Sequence, residues 1–592
     1  MGNKDQLTIN RRFAESARRY ANKPALTVKI DKEWKSQTFR ELEESVRRFS
    51  MGLRALGIQP GDRVAVLSEN RPEWAIADLA ALAAGAITVP IYPSLPAAQV
   101  GYILADSGAK AIVASDTKQL QKAELSREQC PNLSVFITME DSSATGDVLS
   151  YDQVMKEGKT AKLKPSYEKL RDSVKPGDIA SLIYTSGTTG DPKGAELTHG
   201  NLASATLMAQ KALPFQKPND LFLSFLPLSH VFERVTYYLA LFLGAQTCYA
   251  ESLFKVQENM VEVRPTVMQS VPRLYEAIYE RVLDQVAKAP KKRQKIFQWA
   301  LAVGKERSGR RNAGRFIGPV LGIKYRIADK LVLSKIRQRF GGRIRFFVSG
   351  GAPLGKEVAE FFNAIGAPIL EGYGLTETCA ALTLNPYGRA RIGTVGKPMS
   401  GVTIKIAEDG EILTKGPNIM KGYWKKPDAT AEVIDSDGWF HTGDIGEIGR
   451  DGYLKITDRK KDIIVLANGK NVAPQPIENK LKSAELVAEI VLLGDRSGTI
   501  SALVVPNFEK LSKWAKKENI AFTEPKDLIE SAMAKKEIKA EIESLSKDLA
   551  DFEKIRKIAL LDHPLSIENG ELTPTLKVRR KIVRERYGHL LE

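Results

Sequence analysis

The chain of 592 residues carries only three cysteines, Cys130, Cys248 and Cys379. They lie far apart and make no metal-ligand spacing, which excludes a cysteine-built zinc site and a disulfide-stapled secreted fold. The polar start, Met1-Gly2-Asn3-Lys4-Asp5-Gln6, has no signal-peptide core. No apolar run reaches the ~18 residues of a transmembrane helix. The stretch Val235–Leu243 is interrupted by Thr236 and two tyrosines and predicts a core helix. Internal repeats and low-complexity blocks are also lacking. These absences point to a globular chain of cytoplasmic type, too long for one ordinary domain, so at least two are expected.

One sign of charge is in short supply. Lys plus Arg is 88 against 71 for Asp plus Glu, a net charge of +17. Such an excess favours anionic partners: nucleic acid, phosphorylated cofactors or an acidic membrane surface. No helix-turn-helix pattern, zinc spacing or aromatic RNA motif accompanies it, which argues against nucleic acid.

Helical and strand patterns alternate through the first part. Phe39–Leu56 has apolar residues at helical spacing, Arg63–Leu67 reads as a buried strand, Trp74–Ala84 as a helix and Ala86–Ile91 as a strand. Alternation of this kind predicts an α/β fold with largely parallel sheets. Between Gln285 and Arg345 basic residues cluster at helical spacing: Lys291, Lys292, Arg293 and Lys295, then Arg307, Arg310, Arg311 and Arg315. From Gly393 to Thr457 the turn signals Asp409-Gly410, Asp437-Gly438 and Asp451-Gly452 separate short strands such as Thr403–Ile406 and Glu411–Thr414. A run of alternating charges at Asp458 breaks the apolar pattern, and a compact α+β segment follows. The expected domains are therefore residues 1–457 and 458–592.

A strand-like run, Ile179–Tyr184, leads into Thr185-Ser186-Gly187-Thr188-Thr189-Gly190-Asp191-Pro192-Lys193-Gly194. Glycines let the backbone approach a phosphate closely. The hydroxyls and N–H groups donate to its oxygens, and Lys193 adds a positive charge. The pattern is not that of a P-loop, because Pro192 precedes Lys193. The only Gly-Lys-Thr, at 158–160, has Gln153 where the first glycine must stand.

The run 183–194 resembles the signature of the adenylate-forming superfamily, which holds acyl-CoA synthetases, luciferases and nonribosomal peptide adenylation domains. Further segments resemble that family's motifs in the same order: Gly372-Tyr373-Gly374-Leu375-Thr376-Glu377, Asp437–Asp444, Asp458-Arg459-Lys460-Lys461-Asp462 and Gly570–Lys577. The resemblance spans nearly the whole chain. It implies a large N-terminal domain of parallel α/β sheets with a small β-barrel-like subdomain, then a small mobile α+β C-terminal domain.

The resemblance also assigns roles. Thr185, Ser186, Gly187, Thr188, Thr189, Gly190 and Lys193 would hold the phosphates of ATP. Gly372, Tyr373 and Gly374 would form the adenine site, with the Tyr373 ring stacked on the base, and Thr376 would contact phosphate or metal. Glu377, with Thr185, would bind Mg²⁺, a hard cation that takes oxygen ligands. Asp444 would accept hydrogen bonds from the ribose hydroxyls, assisted by Arg459. Lys577 would meet both the substrate carboxylate and the α-phosphate as a compact point charge. His230 would lie at the acyl pocket and order the carboxylate. Asp458 and Lys461 would form the hinge on which the C-terminal domain swings. The reaction implied is attack of a carboxylate on the α-phosphorus of ATP, then transfer of the acyl group to a thiol.

Leu226–Arg234, Val271–Glu276, Gly438–Lys461 and Val465–Pro474 resemble the long-chain fatty acid–CoA ligase branch, so a long-chain fatty acid, ATP and CoA are the expected substrates. An acyl-carrier-protein synthetase and a medium-chain or aryl acid ligase share the same motifs and stay open as alternatives. Some long-chain relatives place a gating tryptophan four residues after the histidine, where this chain has Arg234. The basic segment, with Ile296, Phe297 and Trp299 beside its lysines, is expected to rest on the anionic inner face of a membrane.

Overall fold

The computed structural model describes residues 7–141, 144, 146–185, 191–215, 219–466, 470–494, 499–566, 568–573 and 578–591. The elements read from the sequence stand close to where the pattern put them: helices Phe39–Ala55 and Pro72–Ala83, strands Arg63–Leu67, Ile87–Ile91, Ile179–Thr185, Thr403–Ile406 and Glu411–Lys415. The helix Phe39–Ala55 begins where a capping box allows it. Thr38 accepts from the Glu41 N–H while Glu41 accepts from the Thr38 N–H.

Two sheets organise the large domain. The first has seven strands, ordered Val148–Ser150, Val135–Thr138, Ala111–Ala114, Arg63–Leu67, Ile87–Ile91, Ile179–Thr185 and Lys193–Thr198. All its pairs are parallel except the last, a hairpin in which Thr185 faces Lys193. The second has nine strands; Pro24–Ile30, Gln246–Tyr249, Leu221–Ser224, Val267–Ser270, Phe346–Ser349 and Ile369–Leu375 run parallel at its centre. Buried parallel strands need apolar cover on both faces.

Two helices bury themselves in one core against these sheets. Every residue of Trp74–Ala83 is buried, and so is most of the helix Val231–Leu243. This bears out the core helix expected at Val235–Leu243. Trp74 meets Tyr237 edge-on at 6.4 Å. The two helices are also joined by charge. Arg234 and Asp78, both fully buried, form an ion pair. Arg234 donates from Nη1 to Ser181 Oγ at 2.6 Å and from Nε to Tyr238 Oη at 3.0 Å. A further bond goes to Thr88, and Tyr238 Oη donates to Asp78 Oδ2 at 2.6 Å. A guanidinium locked in this way is a core tie rather than a gate, which settles what stands in the tryptophan's place.

A four-stranded antiparallel sheet, Thr403–Ile406, Glu411–Lys415, Phe440–Ile448 and Leu454–Arg459, forms the small barrel-like part. Tyr373, Leu382, Ile412 and Leu454 pack it against the second large sheet. Its last strand runs through Asp458, and Asp444 pairs with Arg459. The pairing therefore carries the sheet two residues past the expected boundary at 457. Beyond it, strands Val487–Gly494, Ile500–Pro506 and Ile555–Leu560 carry helices Pro474–Leu481, Phe508–Lys517 and Ala532–Leu545 around a separate core. This is the α+β segment the sequence predicts.

Candidate active site

The hairpin Ile179–Thr185/Lys193–Thr198 presents Thr185 and Lys193 at its tip, where Thr185 Oγ1 donates to the Lys193 carbonyl at 3.4 Å. Ser186, Gly187, Thr188, Thr189 and Gly190 lie outside the described residues, as does Lys577. Leu572, within the lysine motif, and Val578, just after it, form an antiparallel bridge.

Opposite the hairpin stands the segment Gly372–Glu377. Gly374 is required there: a Cβ would fall 1.6 Å from the Ala380 carbonyl oxygen, at a bulge in the strand pairing. The chain then turns through Thr376–Thr378, and Cys379 and Ala380 take left-handed φ of 46° and 71°. Strain of this kind needs support from the surroundings. Thr378 Oγ1 accepts from the Leu375 N–H at 2.8 Å, and Asn418 Nδ2 donates to the Thr378 carbonyl at 2.7 Å.

The hairpin and the Glu377 turn are stitched together by residues 420–424, which sequence reasoning missed. Met420 N donates to the Glu377 carbonyl at 2.8 Å, and Trp424 N to the Gly194 carbonyl at 2.8 Å. Tyr423 Oη donates to Glu377 Oε1 at 2.9 Å, while Lys193 Nζ sits 5.2 Å from the Tyr423 ring centroid. Burial and the Glu377 carboxylate hold the Tyr423 phenol well above its ordinary pKa, so it stays a donor. The only signal in the sequence was the aromatic pair Tyr423-Trp424 after a glycine.

Tyr373, Asp444 and Arg459 also meet. Tyr373 Oη donates to Asp444 Oδ2 at 2.7 Å, and Arg459 Nε lies 3.2 Å from Asp444 Oδ1. The Tyr373 ring is itself buried in the apolar cluster, and its hydroxyl orients the aspartate. Each carboxylate oxygen of Asp444 spends one acceptor site on these partners and has a second left for a diol.

His230 is the N-cap of Val231–Leu243. Its Nδ1 accepts from the Phe232 N–H at 3.1 Å, which makes Nε2 the protonated nitrogen. Beneath it, burial pushes the Glu233 carboxyl up to about 7, where Gln269 and Ser224 oppose the shift.

At the expected hinge, Asp458 is buried and accepts from the Arg459 N–H at 2.6 Å and from the Gln475 N–H at 3.1 Å, in the first turn of Pro474–Leu481. Burial pushes its carboxyl up to about 6. Lys461 is exposed, whereas its neighbour Lys460, missed in the sequence, holds Asp409 at 2.6 Å and Glu411 at 3.0 Å.

No three His, Cys, Asp or Glu side chains converge on a metal position among the described residues. Glu377 and Thr185 offer hard oxygen donors, and Mg²⁺ commonly takes one or two carboxylates and fills its sphere from phosphates and water. The residues therefore fit a magnesium ion that arrives with a nucleotide.

A threonine- and lysine-tipped hairpin, a facing carboxylate and an aspartate poised for a diol define a nucleotide site of the adenylate-forming kind. A family model described as AMP-binding enzyme matches residues 13–424, and one described as AMP-binding enzyme C-terminal domain matches 461–592. The chain belongs to this AMP-binding enzyme family. It is 37% identical to the long-chain-fatty-acid–CoA ligase FadD15 of Mycobacterium bovis, over 95% of this chain and 93% of that one. It is 32% identical to the peroxisomal long chain acyl-CoA synthetase 7 of Arabidopsis thaliana, over 97% and 84%. Among solved structures, the adenylation domain of a Mycobacterium chelonae carboxylate reductase shares the fold at a TM-score of 0.77 with 24% identity, covering 98% of this chain and 90% of that one. O-succinylbenzoate coenzyme A synthetase from Bacillus subtilis, in complex with ATP and a magnesium ion, shares it at 0.70 with 21% identity, covering 96% and 98%.

Proposed function

We propose that this protein is an AMP-forming long-chain fatty acid–CoA ligase. It joins a fatty acid to ATP as an acyl-adenylate, releases pyrophosphate, and passes the acyl group to the thiol of CoA with release of AMP. The observation that carries the reading is the joined pair of motifs at Lys193–Tyr423–Glu377, beside the Tyr373–Asp444–Arg459 triad. Similarity to long-chain ligases over nearly the full chain supports the choice of acid.

Both reactants are anionic, so the chain must neutralise and align them. Thr185 and Lys193 would receive the phosphates, with residues 186–190 as the rest of the cradle. Asp444 would hold the ribose, fixed by Tyr373 and Arg459, and Gly372–Gly374 would frame the base. Mg²⁺, held by Glu377 and Thr185, supplies charge neutralisation at the phosphates when bound. The Nε2–H of His230 would donate toward the fatty-acid carboxylate, and Lys577, on its motif alone, would bridge carboxylate and α-phosphate. The C-terminal domain would swing at Asp458–Lys461 between the two half-reactions. No helix among the described residues is long and apolar enough to cross a membrane; the acid is met by peripheral contact with an anionic bilayer.

The test is product analysis by mass spectrometry with ATP, Mg²⁺ and palmitate, adding CoA, phosphopantetheinylated carrier protein, or neither. A CoA thioester with AMP is the expected product. A thioester on carrier protein alone would sink the acceptor assignment, and adenylate with no thioester would sink the second half-reaction.

A further inference from the structure

The basic helix presents Lys291, Lys292, Arg293 and Lys295 to solvent with Ile296 and Trp299 beside them, and its remaining residues are partnered in part within the protein. On the helix Lys291–Asn312, Phe297 is buried in the core, Arg307 stacks on Tyr325 at 4.0 Å, and Arg310 pairs with Glu306 at 3.1 Å. Of its second half, Arg307 and Arg311 are stacked on Tyr325 and Tyr387, while Arg310 stays exposed in a pair within the helix itself.

The next helix, Pro319–Ala328, continued by Asp329–Leu333, is different. Phe316, Val320, Ile323, Ile327 and Leu331 are 49–81% exposed. Val320, Ile323, Ile327 and Leu331, spaced by three and four residues, fall on one helical stripe less than about a quarter-turn wide, and Phe316 stands in the segment just before the helix begins. The opposite face is anchored: Leu321, Ala328 and Leu333 are buried in the large-domain core. The stripe is thus held outward by a fixed helix.

The charges beside the stripe are of one sign. Between Arg315 and Arg339 the sequence has seven cations and one carboxylate, Asp329. Arg337 occupies that carboxylate with two hydrogen bonds, at 2.7 and 3.0 Å. Lys324, Arg326 and Lys330, all exposed, flank the stripe, and none is in an ion pair among the described residues. An apolar ridge bordered on both edges by long cationic side chains suits the boundary between acyl chains and anionic headgroups, where the cations reach back to the phosphates. A second copy of the chain would bring like charge against like. Nucleic acid would satisfy the cations but leave the ridge in water.

We infer that the helical stripe Val320–Leu331, with Phe316 just before it, docks the enzyme on an anionic bilayer, with the ridge in the interface and Lys324, Arg326 and Lys330 on lipid phosphates. The inference rests on the long-chain reading in one respect: the acid such an enzyme takes partitions into that bilayer.

The test is sedimentation of the full chain with vesicles of phosphatidylcholine alone or mixed with phosphatidylglycerol, without ATP or CoA. Failure of docking is then separate from failure of catalysis. Binding to the anionic vesicles, weakened by salt, is expected to fall about tenfold or more in V320D/I323D and in K324E/K330E. Both variants should form product at the wild-type rate from micelle-delivered palmitate, which also shows that they fold. Equal vesicle binding by wild type and both variants overturns the inference. So does a wild type that ignores anionic vesicles, or a V320D/I323D variant whose only change is loss of self-association by analytical ultracentrifugation.

Discussion

Glu371 precedes the adenine motif by one residue, and burial pushes its carboxyl up to about 8. Its Oε1 has no hydrogen-bond partner among the described residues. The folded protein therefore holds a proton that the unfolded chain releases near an ordinary carboxyl pKa of about 4.3. Linkage fixes the sign. The stability tied to this proton is full below that value and is lost as pH rises through about 8. Glu371→Gln keeps the shape of the protonated form without its titration. The variant should match wild type in thermal stability at pH ~5 and exceed it at pH ~9. Parallel stability–pH curves would refute this. Sequence alone gave Glu371 no role, because nothing in the residues around it announces burial.

Single elements were legible where periodicity and turn chemistry agreed. Arg63–Leu67 and Ile87–Ile91 are short apolar runs between turn residues, and they became buried parallel strands. What was illegible is how elements are tied across long sequence separations. Asp78 looks like a stray carboxylate in an apolar helix, and Arg234 like a departure from the tryptophan expected in some long-chain relatives. Together they pin the helix capped by His230 to the strands Ile87–Ile91 and Ile179–Thr185, the second of which leads to the phosphate hairpin. Removing one partner strands the other charge in the core. Arg234→Met or Asp78→Leu alone should cost ~3–5 kcal/mol, and the double variant less than the sum. Urea unfolding monitored by tryptophan fluorescence reads this. Additive losses would mean the two residues act independently. The same blindness to long-range ties explains why Tyr423, outside every motif, went unnoticed, and why Lys460, although inside the Asp458–Asp462 motif, was given no role: its partners Asp409 and Glu411 lie in another strand and turn.

At the scale of the molecule the question is how the C-terminal domain is held. Arg273, on the large-domain helix Pro272–Ala287, bonds to Glu489 of the strand Val487–Gly494 at 2.6 Å. Lys482 pairs with the other oxygen of the same carboxylate. An ion pair with Arg273 half exposed is worth ~0–1 kcal/mol, weak enough to break in every turnover. If the domain must leave this arrangement for one half-reaction, a tether across the pair should stop that half and spare the other. Arg273→Cys/Glu489→Cys joined by a bismaleimide supplies the tether, and Cys130, Cys248 and Cys379 are buried, so the introduced thiols react selectively. ATP–pyrophosphate exchange reports adenylation, and thioester formation from supplied acyl-adenylate and CoA reports the second step. The linked enzyme should retain one activity near the level of the unlinked variant and lose the other at least ~100-fold, because a misplaced catalytic group forfeits its positioning. A reducible linker should restore the lost step on cleavage. Full retention of both activities in the linked protein would mean that this contact persists through the cycle and the domain does not swing away from it.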